Sequence, residues 1–220
     1  MTKQNQTTQP VAAQNDVTIT APNFKTAHFK IRGTAPLVIN RFSQKATNMM
    51  MEAQAAGSLA KKKGKAKEAK DFDALYEGAR HISHDGWDGL SAMSVKHAMV
   101  GACRAIDFKM TQAKIAFFVE PDGFDRVDGD PLIRITKGTP TRVDHHVRNA
   151  SGVADIRPRP MWAAGWEATV RVKFDADLLT ISDIANLLMR AGLQNGIHEG
   201  RPASKMSVGM GWGTFEVCGD

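Results

Sequence analysis

Apolar positions fall along this chain in distinct rhythms. A two-residue alternation marks strands at His28–Arg32 (HFKIR), Leu132–Thr136 and Trp166–Phe174 (WEATVRVKF), because successive side chains of a strand face opposite sides of a sheet. Ile115–Val119 (IAFFV) is apolar without a break, bounded by Pro121 and Gly123, and predicts a buried strand. Helical spacing joins Val95, Ala98, Met99, Ala102, Cys103 and Ile106, with Ser94 as the expected N-cap. A second helix is predicted with Ile184, Leu187, Leu188 and Ala191 on one face, capped by Thr180 or Ser182 and stopped by Gly192. Weaker strand signals lie at Val17–Ile19 and Gly213–Val217.

Between these elements the rhythm fails in informative ways. Residues 1–16 are rich in Gln, Thr and Asn and read as a disordered tail with no hydrophobic leader. From 43 to 80, Ala, Met and Lys dominate, which predicts an insertion of two short helices around a basic loop. Residues 138–160 alternate in polarity around an Asn149–Gly152 turn and hold almost no bulky apolar side chain, so an extended hairpin leaving the body is expected. The remainder, 17–220, is read as one domain. Two βαβ-like halves with antiparallel strands between them predict an α+β fold, a ferredoxin-like, RRM-type antiparallel sheet with helices on one face.

Charge narrows the function. The net charge of +6 and a sequence pI near 9.4 favour an acidic partner. Cys103 and Cys218 are too few for a disulfide framework and lack metal-ligand spacing, so a reducing, cytoplasmic setting is expected. No apolar run reaches the roughly 18 residues of a membrane span.

Enzymatic and metal signatures are weak. His81 and His84, and the pair His145–His146, lack partners at zinc spacing. Asp122, Asp125, Asp128 and Asp130 lack the ligand alternation of a calcium loop and read as an Asp/Gly turn between strands. The expectation is therefore a non-enzyme without metal, cofactor, membrane or small-molecule substrate.

The basic features are more telling. Between Arg134 and Lys173 eight Lys or Arg face three acids. Arginine can fork two hydrogen bonds to a phosphate, and a hairpin can hold such groups in a row. Arg142, Arg148, Arg157 and Arg159 are the expected phosphate contacts there, with His146 and Trp162 as stacking surfaces. Arg201 and Lys205 extend the set. Lys61, Lys62 and Lys63 open a run of six lysines against one glutamate (KKKGKAKEAK), suited to non-specific phosphate attraction. Gly192, Gly196, Gly200, Gly209, Gly211 and Gly213 form a glycine-rich loop that would allow close backbone approach to a ligand or another chain.

Several runs carry a resemblance. The helix Ile181–Arg190 followed by AG, then G-x-x-x-G-R-P (GIHEGRP) and G-x-F-x-V (GTFEV), resembles the end of RAMP-superfamily proteins, which include CRISPR effector backbone subunits. GTAPLVINRF and GLSAMSVKHAMVGACRA resemble the same superfamily, and IRPRPMWAAGWEATVRVKF is similar to a group of phage-encoded proteins of unassigned role. The resemblance implies a modified RRM palm with a thumb hairpin at 138–160, in subunits that polymerise along a single strand. The expected function is sequence-tolerant binding of single-stranded nucleic acid, DNA before RNA, as a homo-oligomer in phage replication or recombination. A protein-interaction module or inhibitor that mimics a CRISPR backbone subunit is the alternative. A histidine nuclease is the third.

Overall fold

The computed structural model describes residues 20–42, 44–55, 69–148, 152–205 and 209–219. The expected tail 1–16, the strand at Val17–Ile19 and the basic run holding Lys61, Lys62 and Lys63 lie outside them.

The elements in chain order are β1 (Phe24–Gly33), β2 (Leu37–Val38), α1 (Gln44–Ala55), α2 (Phe72–Ala79), β3 (Gly89–Ser91), α3 (Ala92–Ala102), α4 (Met110–Ala116), β4 (Phe117–Glu120) and β5 (Gly123–Phe124). They continue with β6 (Pro131–Lys137), β7 (Thr141–Arg148), β8 (Ala154–Trp162), β9 (Glu167–Asp175), α5 (Ile181–Arg190) and β10 (Phe215–Val217). The α+β class expected from the alternation is the class observed. The main sheet runs β10-β1-β9-β6-β3, with β4 also on β9 and β5 on β6, every pairing antiparallel. A second sheet of order β2-β8-β7 holds the hairpin.

Alternation along β1 and β9 divides the main sheet into two faces. Phe29, Ile31, Val170, Val172 and Phe174 pack in one cluster with Val95 and Met99 of α3 and Ile184, Leu187 and Leu188 of α5. Burying each such large side chain contributes about 1.5–3 kcal/mol, which is why the helices stay on this face. The opposite face carries Thr26, His28, Lys30, Arg32, Thr169 and Lys173, all exposed. No helix among the described residues is long and apolar enough to cross a membrane.

Three local expectations are corrected. Helix α3 begins at Ala92 with Ser91 at its N-cap position, and the Ser94 hydroxyl instead accepts from the His198 backbone N–H at 3.2 Å. Ile115 belongs to α4: Ala113 and Ala116 point inward, Ile115 outward, and the strand starts only at Phe117. Gly192 does not stop α5. The chain continues through a π-helical turn, Ala191–Asn195, and position 192 is glycine because the Phe215 carbonyl oxygen lies 2.2 Å from where a Cβ would stand. Thr180 caps α5 as expected, in a capping box with Asp183.

Candidate nucleic-acid interface

The hairpin forms where expected, as β7 and β8, with residues 149–151 of its turn outside the described residues. Its register separates the candidate cations. Directly paired residues share a face, and Arg142 pairs with Pro160, His146 with Ile156 and Arg148 with Ala154. Arg157 pairs with His145 and Arg159 with Val143. The backbone thus puts Arg142, His146 and Arg148 on one face and Arg157 and Arg159 on the other, not in a single row. The side chain of Arg148 lies outside the described residues.

Most of these cations are already answered. Arg142 donates to both carboxylate oxygens of Asp144, at 2.9 and 3.0 Å, and also pairs with Asp73 on α2. The Arg142 guanidinium in turn holds the Asp144 carboxyl below the usual carboxylate range. Arg157 lies 3.6 Å from Asp155, which also pairs with Lys70. Arg159 is buried, donating to Glu199 at 2.7 Å and to the Pro158 carbonyl at 3.1 Å. His146 is exposed, while its neighbour His145 lies against the Trp212 ring at 4.8 Å. Trp162 is 1% exposed and sits in the core, so the expected stacking role is closed to it.

The glycine-rich segment is spent mainly on internal packing, a correction to its reading as a ligand loop. A Cβ at Gly213 would lie 2.0 Å from the Ile197 carbonyl oxygen, and those at Gly200 and Gly209 would strike Trp212 and Arg201. Gly196 abuts Pro202 and Trp212; of the six, Gly211 alone faces open space. Arg201 donates to the His198 carbonyl at 2.8 Å, and Lys205 is exposed. Together Glu199 and Trp212 fasten this loop to the hairpin.

The open face of the main sheet is the surface that sequence reasoning missed, although its alternation was visible. Lys30, Arg32 and Lys137 converge on Glu167 at 2.7, 3.4 and 3.1 Å, with about half or more of each cation's side chain exposed. Hydrogen bonds from Lys30 and then Lys137 pull the Glu167 carboxyl down to about 2. One carboxylate therefore serves three cations. Next along β9, Arg171 pairs with Asp122 at 3.2 Å, opposite His28 on β1. At the far end Phe24 and Phe118 meet edge to face, centroids 6.0 Å apart, both more than a third exposed. Lys173 lies 5.3 Å over the Phe24 ring and Lys96 4.2 Å over Phe118. Glu120 and Glu216, paired with Arg171 and Arg32 across the strands, limit the positive excess of the face without removing it.

His81 and His198 are held in internal contacts. His81 is bonded to Asp125 at 2.9 Å in the interior, and these two with Asp128 bring ligand-type atoms within 4.8 Å of one another. Arg41 lies 3.6 Å from Asp128 and already offsets the acidic charge there. His198 accepts from the Ser91 N–H at 3.2 Å, and burial, with His81 and Arg201 nearby, pushes its imidazole down to about 3. The spacing of His81 from Asp125 in sequence had hidden this contact. The chain matches no protein-family model and no curated protein.

Proposed function

We propose that this protein binds single-stranded nucleic acid across the open face of its main sheet, and that its role is binding rather than catalysis. The observation that carries this reading is the exposed Phe24–Phe118 pair beneath Lys173, in line with three cations that share Glu167. Exposed aromatic rings accept bases of any sequence by stacking, and lysines and arginines beside them neutralise phosphates. Side chains on the same face of β1 recur about every 6.8 Å, so Thr26, His28, Lys30 and Arg32 line a track suited to an extended strand.

Within this reading the ligand is single-stranded DNA before RNA, bound by copies that polymerise along it in the cytoplasm, in phage replication or recombination. The alternative of a protein-docking module draws on α1, whose Met49, Met50 and Met51 are all exposed.

Fluorescence anisotropy with labelled oligothymidylate and oligouridylate tests the binding. Affinity is expected to fall with salt, by a log–log slope of about −0.7 for each phosphate contacted. The Lys30→Glu, Lys173→Glu double variant should lose about 100-fold in affinity. Absence of binding to either oligonucleotide at low salt overturns the reading.

A further inference from the structure

We propose that the groove between α5 and the Ile106–Phe108 turn is the docking site for residues 16–19 of this same chain. The inference does not rest on the reading of the sheet face. The groove encloses about 670 Å³, and its wall is apolar, with Ile106, Phe108, Leu179, Leu187 and Met189 along it. Ile106 is 42% exposed, and Leu178 and Ile181, neighbours of Leu179 in the chain, are 45% and 57% exposed. A single aliphatic in water is ordinary, but several gathered at one groove mark an interaction surface.

The path of the chain names the occupant. Asn23, the residue before β1, is tied to the turn after β9: its carbonyl accepts from the Ala176 N–H at 2.8 Å, and its side chain donates to Asp177 at 3.2 Å. Leu179, on the groove wall, donates its N–H to the Asp175 carbonyl at 3.0 Å, and Asp175 pairs with Phe24. Because β9 ends at Asp175, the residues before Asn23 have no further β9 partner, and the chain leaves the sheet close to Leu179.

The segment ahead reads Asp16-Val17-Thr18-Ile19. In an extended chain Val17 and Ile19 share one side, giving two apolar anchors for an apolar wall. From Ile19 to Asp16 is about 10 Å at roughly 3.4 Å per residue. From Asp183 to Arg190 along α5 is also about 10 Å, at roughly 1.5 Å per residue. Asp16 therefore reaches Arg190, which lines the groove and has no ion-pair partner among the described residues. The acid of the groove, Asp183, is engaged by Thr180 in the capping box of α5. One free cation on an apolar wall suits a short apolar segment with a single acid, not a polyanion.

The test uses the full chain with Cys218→Ser, Cys103 being buried. Val17→Cys with Asn186→Cys places one thiol on the segment and one at an exposed position of the groove. Mild oxidation at low protein concentration should close an intramolecular disulfide, read as a monomer on a non-reducing gel and as a linked pair of peptides by mass spectrometry. Thr18→Cys in place of Val17→Cys should link about tenfold more slowly, because its side chain turns away from the wall. Arg190→Glu should slow the Val17→Cys linkage about threefold, and adding Asp16→Lys should restore it. A disulfide-linked dimer would give the groove to a second copy and overturn docking within the chain. Absence of linkage, or equal rates for Val17→Cys and Thr18→Cys, overturns the proposal outright.

Discussion

The β7–β8 hairpin and the open face of the main sheet are both basic, yet they use their cations in opposite ways. On the hairpin Arg142 has both Asp144 and Asp73, and Arg159 has Glu199, while only Arg157 shares its carboxylate, Asp155, with Lys70. On the sheet Lys30, Arg32 and Lys137 share Glu167, and Lys173 lies over an aromatic ring. A cation already paired must break that pair to hold a phosphate, whereas one with a fraction of a carboxylate has less to give up. Local charge count is therefore a poor guide to where a polyanion binds. The partner each cation has in the fold is a better one.

The comparison can be broken most forcefully at the root of the hairpin. If Trp162 is a core residue, Trp162→Ala should destabilise the protein by about 3–5 kcal/mol, read from the midpoint of urea unfolding. Unchanged stability with lost oligonucleotide binding would restore the hairpin as a stacking surface.

A smaller effect concerns the loop that braces the hairpin. His198 has a folded pKa near 3, below its unfolded value of about 6.5. The unfolded state thus binds the proton first, so the stability His198 contributes is present above pH 6.5 and is lost as pH falls toward 3. Thermal midpoints should drop across that window, and His198→Gln should flatten the drop. Glu167 adds a separate loss below about pH 4.5, its carboxyl being held near 2 in the folded state. An unaltered acid profile in His198→Gln would remove His198 from this role.

The smallest effects sharpen the contrast directly. Lys173→Ala should weaken single-strand binding several-fold and reduce the salt slope by about 0.7. Arg142→Ala should change affinity less than about twofold, because its guanidinium is already occupied. Equal losses in the two variants, measured by anisotropy across a salt series, would erase the distinction between the surfaces.

Much of the architecture was legible in the chain. Alternation in WEATVRVKF marks the central strand β9, Thr180 begins α5, and polar alternation over 138–160 marks the hairpin. Local signals misled where the competing contact was distant in sequence. Ile115 reads as strand because IAFFV is apolar, but Ala113 and Ala116 provide the buried face of a helix. Gly192 reads as a stop signal, but it is glycine because Phe215 packs against it. The site was less legible for the same reason. Arg142, Arg157 and Arg159 stand out as an arginine cluster, while Asp73 and Glu199, which answer two of them, lie 69 and 40 residues away.

By itself, the sequence determined the class of fold and which positions of β1 and β9 turn outward, since the alternation of a strand is a local property of the backbone. It also determined the net positive charge. Only the tertiary structure decided which cations keep a surplus, which aromatics are buried, and that Lys30, Arg32 and Lys137 meet over Glu167. Those outcomes depend on strand pairing and register between segments more than 100 residues apart, and on the short range of charge compensation once they meet.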